Sequence, residues 1–318
     1  MIVESIGSWE LWAGFIGFVI LMLALDLGVF HRKDHVIGFK EAAAWSGVWV
    51  GLALLFNLWL GWRFGSQRGI EFLTGYLIEK SLSVDNIFVF VVIFSTLGIP
   101  ALYQHRVLFW GILTALVLRA VMIFAGAAML ERFHFLIYIF GAFLVLTGIK
   151  LFLQRKHATS VSESAVLRWI RRIIPSTPKL DGNRFFTTHN GRRLATPLLI
   201  TLLLVEVTDV VFAVDSIPAI FAVTTDPFIV FTSNIFAILG LRSLFFMLAG
   251  LMDKFIYLKV GLAAVLVFVG VKMSIADFVK IPPLISLVVI LTMLGVAVVC
   301  SLRHAAKQRA VIAGAGVV

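Results

Sequence analysis

Charge is scarce in this chain. Asp, Glu, Lys and Arg make up 14% of its 318 residues, against about a quarter in soluble domains. So few charged groups cannot clothe a water-facing surface, which excludes a soluble enzyme or a soluble binding domain as the bulk of the chain. Cysteine is nearly absent as well. The single Cys300 excludes an internal disulfide and leaves CxxC metal or redox chemistry without ligands. The seven histidines fall in loops or near the ends of apolar stretches, and none has metal-ligand spacing within one, which disfavours a zinc or copper site. No small-x-small cleavage site follows the first apolar segment, 11–30, so that segment is expected to be retained as a span.

Long hydrophobic runs fill the space that charge leaves. Apolar residues account for 61% of the chain and the mean hydropathy is +1.04. A crossing of the hydrocarbon core needs about 20 such residues, and nine stretches meet it: 10–30, 42–62, 71–94, 105–130, 133–153, 196–222, 227–250, 255–276 and 282–301. They are too long and unbroken for barrel strands, so the predicted class is an all-α membrane protein with about nine transmembrane helices.

The net charge of +10 gathers in short connections and in the polar stretch 154–195. That distribution argues for membrane topology, not for a nucleic-acid face. By the positive-inside rule the stretch is cytoplasmic, which places the amino terminus outside and the carboxyl terminus inside. Residues 166–174 within it suit either a short amphipathic surface helix or a solvated linker.

Two segments repeat. Glu79-Lys80-Ser81-Leu82-Ser83-Val84-Asp85-Asn86-Ile87 aligns with Asp209-Val210-Val211-Phe212-Ala213-Val214-Asp215-Ser216-Ile217. Leu118-Arg119 matches Leu241-Arg242, and Phe133…Leu136…Gly148-x-Lys150 matches Phe255…Leu258…Gly270-x-Lys272. Spans three to five therefore resemble spans six to eight, in opposite orientation. The expected organisation is an inverted 3+3 repeat. Two peripheral spans (1–62) precede the first unit (71–153), the basic cytoplasmic stretch (154–195) and the second unit (196–276). A last span with its basic tail (282–318) follows.

A carboxylate at membrane depth costs a few kcal/mol on insertion scales. Four in two matched pairs, with Glu206 as a fifth, point to a cation site. The candidate ligands are Glu79, Asp85, Asn86, Glu206, Asp209, Asp215 and Ser216, whose carboxylate, amide and hydroxyl oxygens suit a hard divalent ion. Lys80, Arg119 and Arg242 are candidate counterions or gating groups. The bland alternative is that the acids serve packing, salt-bridged to Arg119 and Arg242. Asn234 fits a ligand or a packing contact, and Asp26 an interfacial role. Six residues separate the two acids of each copy, about 9 Å of rise and ~120° off a common face. A helix break at Pro218 is expected to relieve this by stripping the Val214 carbonyl of its donor.

The two acidic segments, together with Tyr76-Leu77-Ile78 and the run from Pro218-Ala219-Ile220-Phe221 through Asp226-Pro227-Phe228 to Ser233-Asn234 and Gly240-Leu241-Arg242, resemble the TerC family of bacterial integral membrane proteins. Length, span number and basic central stretch are most similar to its Alx branch. The sequence shows no nucleophile–base pair or hydrolytic metal motif, so an enzyme is not expected. The resemblance implies an exporter of Mn²⁺ in the bacterial inner membrane, distantly kin to LysE-type exporters. It implies no permanently bound cofactor; the partners are Mn²⁺ or Ca²⁺, protons and the bilayer, with no nucleic acid and the oligomeric state open. The family name derives from tellurium resistance, and members also carry the label of redox modulator, for which Cys300 alone offers no chemistry. The alternative is therefore a non-transporting stress-response partner acting through the cytoplasmic stretch.

Overall fold

A computed structural model of the chain describes residues 5–30, 38–133, 135–153, 165–189, 192–249, 257–279 and 281–315, leaving aside the side chains at 26–30, 85, 88, 165, 166, 189, 259 and 305–315. Helices occupy each apolar stretch: α1 (Trp9–Phe30), α2 (Phe39–Phe64), α3 (Ser66–Thr96), α4 (Ala101–Arg132), α5 (Leu136–Leu153), α7 (Pro197–Phe221), α8 (Pro227–Leu239), α9 (Leu241–Ala249), α10 (Leu258–Ser274) and α11 (Pro283–Ala315). Between α5 and α7 lie a short helix, α6 (Ala165–Ile173), and two strands, β1 (Phe186–His189) and β2 (Arg192–Ala195). Among the described residues, α2, α4, α5, α7 and α11 are long and apolar enough to cross a bilayer, and α8 with α9 makes a sixth if the pair counts as one span. α3 is longer than most of these, but Arg68, Glu71, Glu79, Lys80 and Asp85 keep it below that apolar standard.

Helix ends follow local chemistry. At the start of α8 the Asp226 carboxylate accepts the amide of Phe228 at 2.9 Å, and Pro227 fills the first helical position, where a missing N–H costs nothing. Gly65, at φ 95°, makes the reversal between α2 and α3 that a side chain would resist.

The break expected at Pro218 is absent. α7 runs through Pro218 and ends only at Phe221. The Val214 carbonyl still loses its donor, but only three residues follow Pro218 before the helix ends, so little helix lies beyond it to be displaced. α3 is likewise continuous. Ser81 there donates back to the Leu77 carbonyl at 2.6 Å without interrupting the helix. The interruption lies in the next apolar stretch, at Gly240, where α8 and α9 meet at a 42° bend.

The stretch before α7 is built, not a bare linker. Over its described part α6 buries Leu167 and Ile170 against the main core, and β1 pairs antiparallel with β2, Phe186 opposite Ala195. The pairing is not among the expectations from the sequence, although Asn190-Gly191 between two strand-like runs is a signal that could have found it. The Ala195 amide donates to Pro175 at 2.9 Å, tying the end of α6 to the start of α7.

Candidate metal-ion site

Four helices converge near the middle of α4. Gly75 lets α3 approach α7 and α8; an added Cβ would stand 2.9 Å from the Ser233 hydroxyl and 3.1 Å from Ile220. Gly111 on α4 faces Val205 on α7, where an added Cβ would make ordinary contact at 3.5 Å. Into this crossing each helix sends one polar side chain: Glu79 from α3, Arg119 from α4, Asp209 from α7 and Asn234 from α8, all buried.

Arg119 is the hub, with 1% of its surface exposed. Its Nε and Nη2 donate to the two carboxylate oxygens of Asp209 at 3.2 and 2.9 Å, a planar fork that a lysine could not reproduce. Its Nη1 donates to Glu79 Oε1 and, at 3.4 Å, to Asn234 Oδ1. Glu79 and Asp209 are the aligned acids of the two repeated segments, so one guanidinium binds an equivalent group from each. Two carboxylates and one guanidinium leave one formal negative charge among them. Glu79 Oε2, Glu206 Oε2, Ser83 Oγ, Ser216 Oγ and Asn234 Nδ2 are buried without a hydrogen-bond partner among the described residues. Such atoms are costly unless something else satisfies them. A cavity of about 10 Å³ lies against Asp209, lined otherwise by apolar groups such as Phe90, Leu108 and Leu241; it has room for roughly one water.

The remaining acids of α7 diverge. Glu206 accepts from Thr114 on α4, and Asp215 accepts from Thr147 on α5 at 3.3 Å. The side chain of Asp85 lies outside the described residues, as does that of Asp26. Asn86 and Ser216 are buried on α3 and α7. Among the described residues, no three His, Cys, Asp or Glu side chains come together as a metal-holding group. Arg119 bridges Glu79 and Asp209. Thr114 and Thr147 were not foreseen, since threonine on an apolar helix carries no sequence signal of its own.

Lys80 has a different task from its neighbour Glu79. Its ammonium donates to the Ala237 carbonyl at 3.3 Å, one of the last carbonyls of α8, which a helix ending there leaves without an intrahelical donor. Gly240 makes the room: a Cβ would come within 2.8 Å of Lys80 Nζ and 3.1 Å of Trp49. Arg242 is buried in the first turn of α9, just past the bend. A second polar group joins α3 to the turn before α8. There Glu71 accepts from Arg68 at 3.0 Å and Thr224 at 2.9 Å, while Asp226 accepts from the Ser5 hydroxyl and the Ile6 amide, both at 2.9 Å.

Residues 64–310 match the family described as integral membrane protein TerC family. A Myxococcus xanthus protein named "Uncharacterized membrane protein STKORF319" is 71% identical over 304 residues, 95% of each chain. Proteins named "Putative membrane-bound redox modulator Alx" are 50% identical in Escherichia coli K12, over 90% of this chain and 92% of theirs. In Salmonella typhi the figures are 48%, 93% and 95%. No solved structure matches the chain. On residues and comparisons together, the chain belongs to the TerC family of integral membrane proteins.

Proposed function

We propose that this protein is a secondary transporter of the bacterial inner membrane that exports a divalent metal ion, Mn²⁺ before others, in exchange for protons. The observation that carries the proposal is the buried meeting of Glu79 and Asp209 on Arg119, beside Asn234 and unsatisfied carboxylate and hydroxyl oxygens. A pure packing role needs no acid from each half at aligned positions. Arg119 acts as a tethered cation that holds the two acids while no ion is bound. Export requires it to swing aside and Glu79, Asp209 and their neighbours to close on the metal. Oxygen donors of this kind suit the hard divalent ions Mn²⁺, Ca²⁺ and Mg²⁺ alike, and Mn²⁺ is put first on the family resemblance. Metal that draws in the acids Arg119 does not hold, Glu206 and Asp215, displaces the protons they carry, which couples the two flows.

Packing supports the inverted repeat. α3 lies on α8 as α7 lies on α4, and α5 crosses α10, the pattern expected if a two-fold exchanges α3 with α7, α4 with α8–α9, and α5 with α10. The helix crossing of α5 and α10 repeats the relation residue by residue. A Cβ at Gly148 would stand 2.8 Å from the Ala263 carbonyl, and one at its partner Gly270 would stand 2.7 Å from that of Gly141. In the aligned numbering Gly141 is the partner of Ala263. Transporters of this architecture bind cargo between their halves, where Arg119 sits.

A second reading is a non-transporting redox or stress-response partner, which the names of the Alx relatives and the folded α6–hairpin region favour. Everted vesicles separate the two. Mn²⁺ uptake driven by a proton gradient, ahead of Ca²⁺, Mg²⁺ and Zn²⁺, is expected of the exporter; absence of uptake for every ion would leave the partner role.

A further inference from the structure

The short helix α6 presents three separate faces. At ~100° per residue, Leu167 and Ile170 share the side packed into the core, each 3% exposed. Trp169 and Ile173 form a ridge on another side, 61% and 56% exposed. Arg168, Arg171 and Arg172, all exposed, fill the remaining arc, and the helix holds no acid. An open ridge of Trp and Ile is unfavourable in water. The hairpin adds exposed Arg192 and Arg193, the latter 4.2 Å above the Phe186 ring.

Position decides what the ridge meets. The end of α6 is tied through Pro175 to Ala195, two residues before α7 begins. Arg106, near the start of α4, lies 5.1 Å over Phe185 just ahead of β1. The first link places the end of α6, and the second the approach to β1, at the level where α7 and α4 begin, the boundary of the apolar core. There a Trp–Ile ridge reaches acyl chains and a neighbouring arginine face reaches phosphates. A soluble acidic partner would use the arginines and leave the ridge unexplained.

We propose that α6, with the hairpin beside it, is a binding site for anionic phospholipid: Trp169 and Ile173 seat at the acyl boundary while Arg168, Arg171 and Arg172 hold the headgroup phosphate. The proposal is independent of whether the chain carries metal.

The test titrates detergent-solubilised full-length protein with phosphatidylglycerol and phosphatidylcholine of the same acyl chains. Phosphatidylglycerol should bind at least about tenfold more tightly at low salt, at about fivefold per engaged arginine, and the preference should shrink at high salt. R172Q alone should lose about fivefold. R168Q/R171Q/R172Q should lose the preference altogether. Trp169→Ser with Ile173→Ser should weaken both lipids alike, and glycerol phosphate should not compete. Equal binding of the two lipids by the unaltered protein overturns the proposal. So does a preference untouched by R172Q, or stronger binding of poly-glutamate than of phosphatidylglycerol. Should the triple variant aggregate, R172Q and the salt series decide alone.

Discussion

Arg119 is balanced by two acids that are themselves buried, so its removal strands them. Arg119→Gln is expected to destabilise the protein by about 3–5 kcal/mol, the range for breaking a buried ion pair from one side. Adding Glu79→Gln and Asp209→Asn should recover most of that loss, because no charge then remains unpaired. Thermal unfolding in detergent reads both. A triple variant no more stable than Arg119→Gln would mean that the guanidinium stabilises through other contacts. Function should part company with stability here: Asp209→Asn and Asp215→Asn are each expected to abolish metal export while expression stays near normal. Cellular manganese in a strain lacking other exporters is the readout. Retained export with Asp215→Asn alone would confine the path to the Arg119 crossing.

Helices α5 and α10 meet backbone to backbone. A side chain at Gly270 would run into the Gly141 carbonyl at 2.7 Å and the Val145 amide at 2.8 Å, groups that cannot rotate away. Gly270→Val is therefore expected to cost roughly 1–3 kcal/mol or more. Gly295→Val, with open space around it, should stay within about 0.5 kcal/mol. Melting of the two variants side by side checks the close crossing. The bend at Gly240 is the other device at this scale. Lys80, a candidate counterion to the buried acids, donates there to a freed α8 carbonyl and so helps to hold the bend. Its position in the acidic segment suggested a charge partner; only the arrival of α8 supplied a carbonyl.

For the whole molecule the strongest expectation is orientation. In a Cys300→Ser background, Ser66→Cys should react in intact cells with a membrane-impermeant maleimide, and Lys179→Cys should react only after lysis. Both positions are exposed in the structure. Equal labelling of the two in intact cells would remove the odd number of crossings between them, and with it the opposed orientation of the repeats.

Class, segment positions and duplicated acids were determined by the sequence alone. Hydropathy over twenty residues is a local, additive property, and a carboxylate inside such a run stands out whatever the fold. The glycines of the α5–α10 crossing were visible only as scattered small residues. What tertiary structure decided is partnership. Arg119 lies 40 residues from Glu79 and 90 from Asp209, and periodicity within one helix says nothing about which helix lies opposite. For the same reason the break expected at Pro218 does not form. Proline chemistry identifies a lost bond, but whether the chain bends depends on how near the helix end falls and on what packs there. The bend came at Gly240, where Lys80 and Trp49 from two other helices occupy the space that a side chain would need.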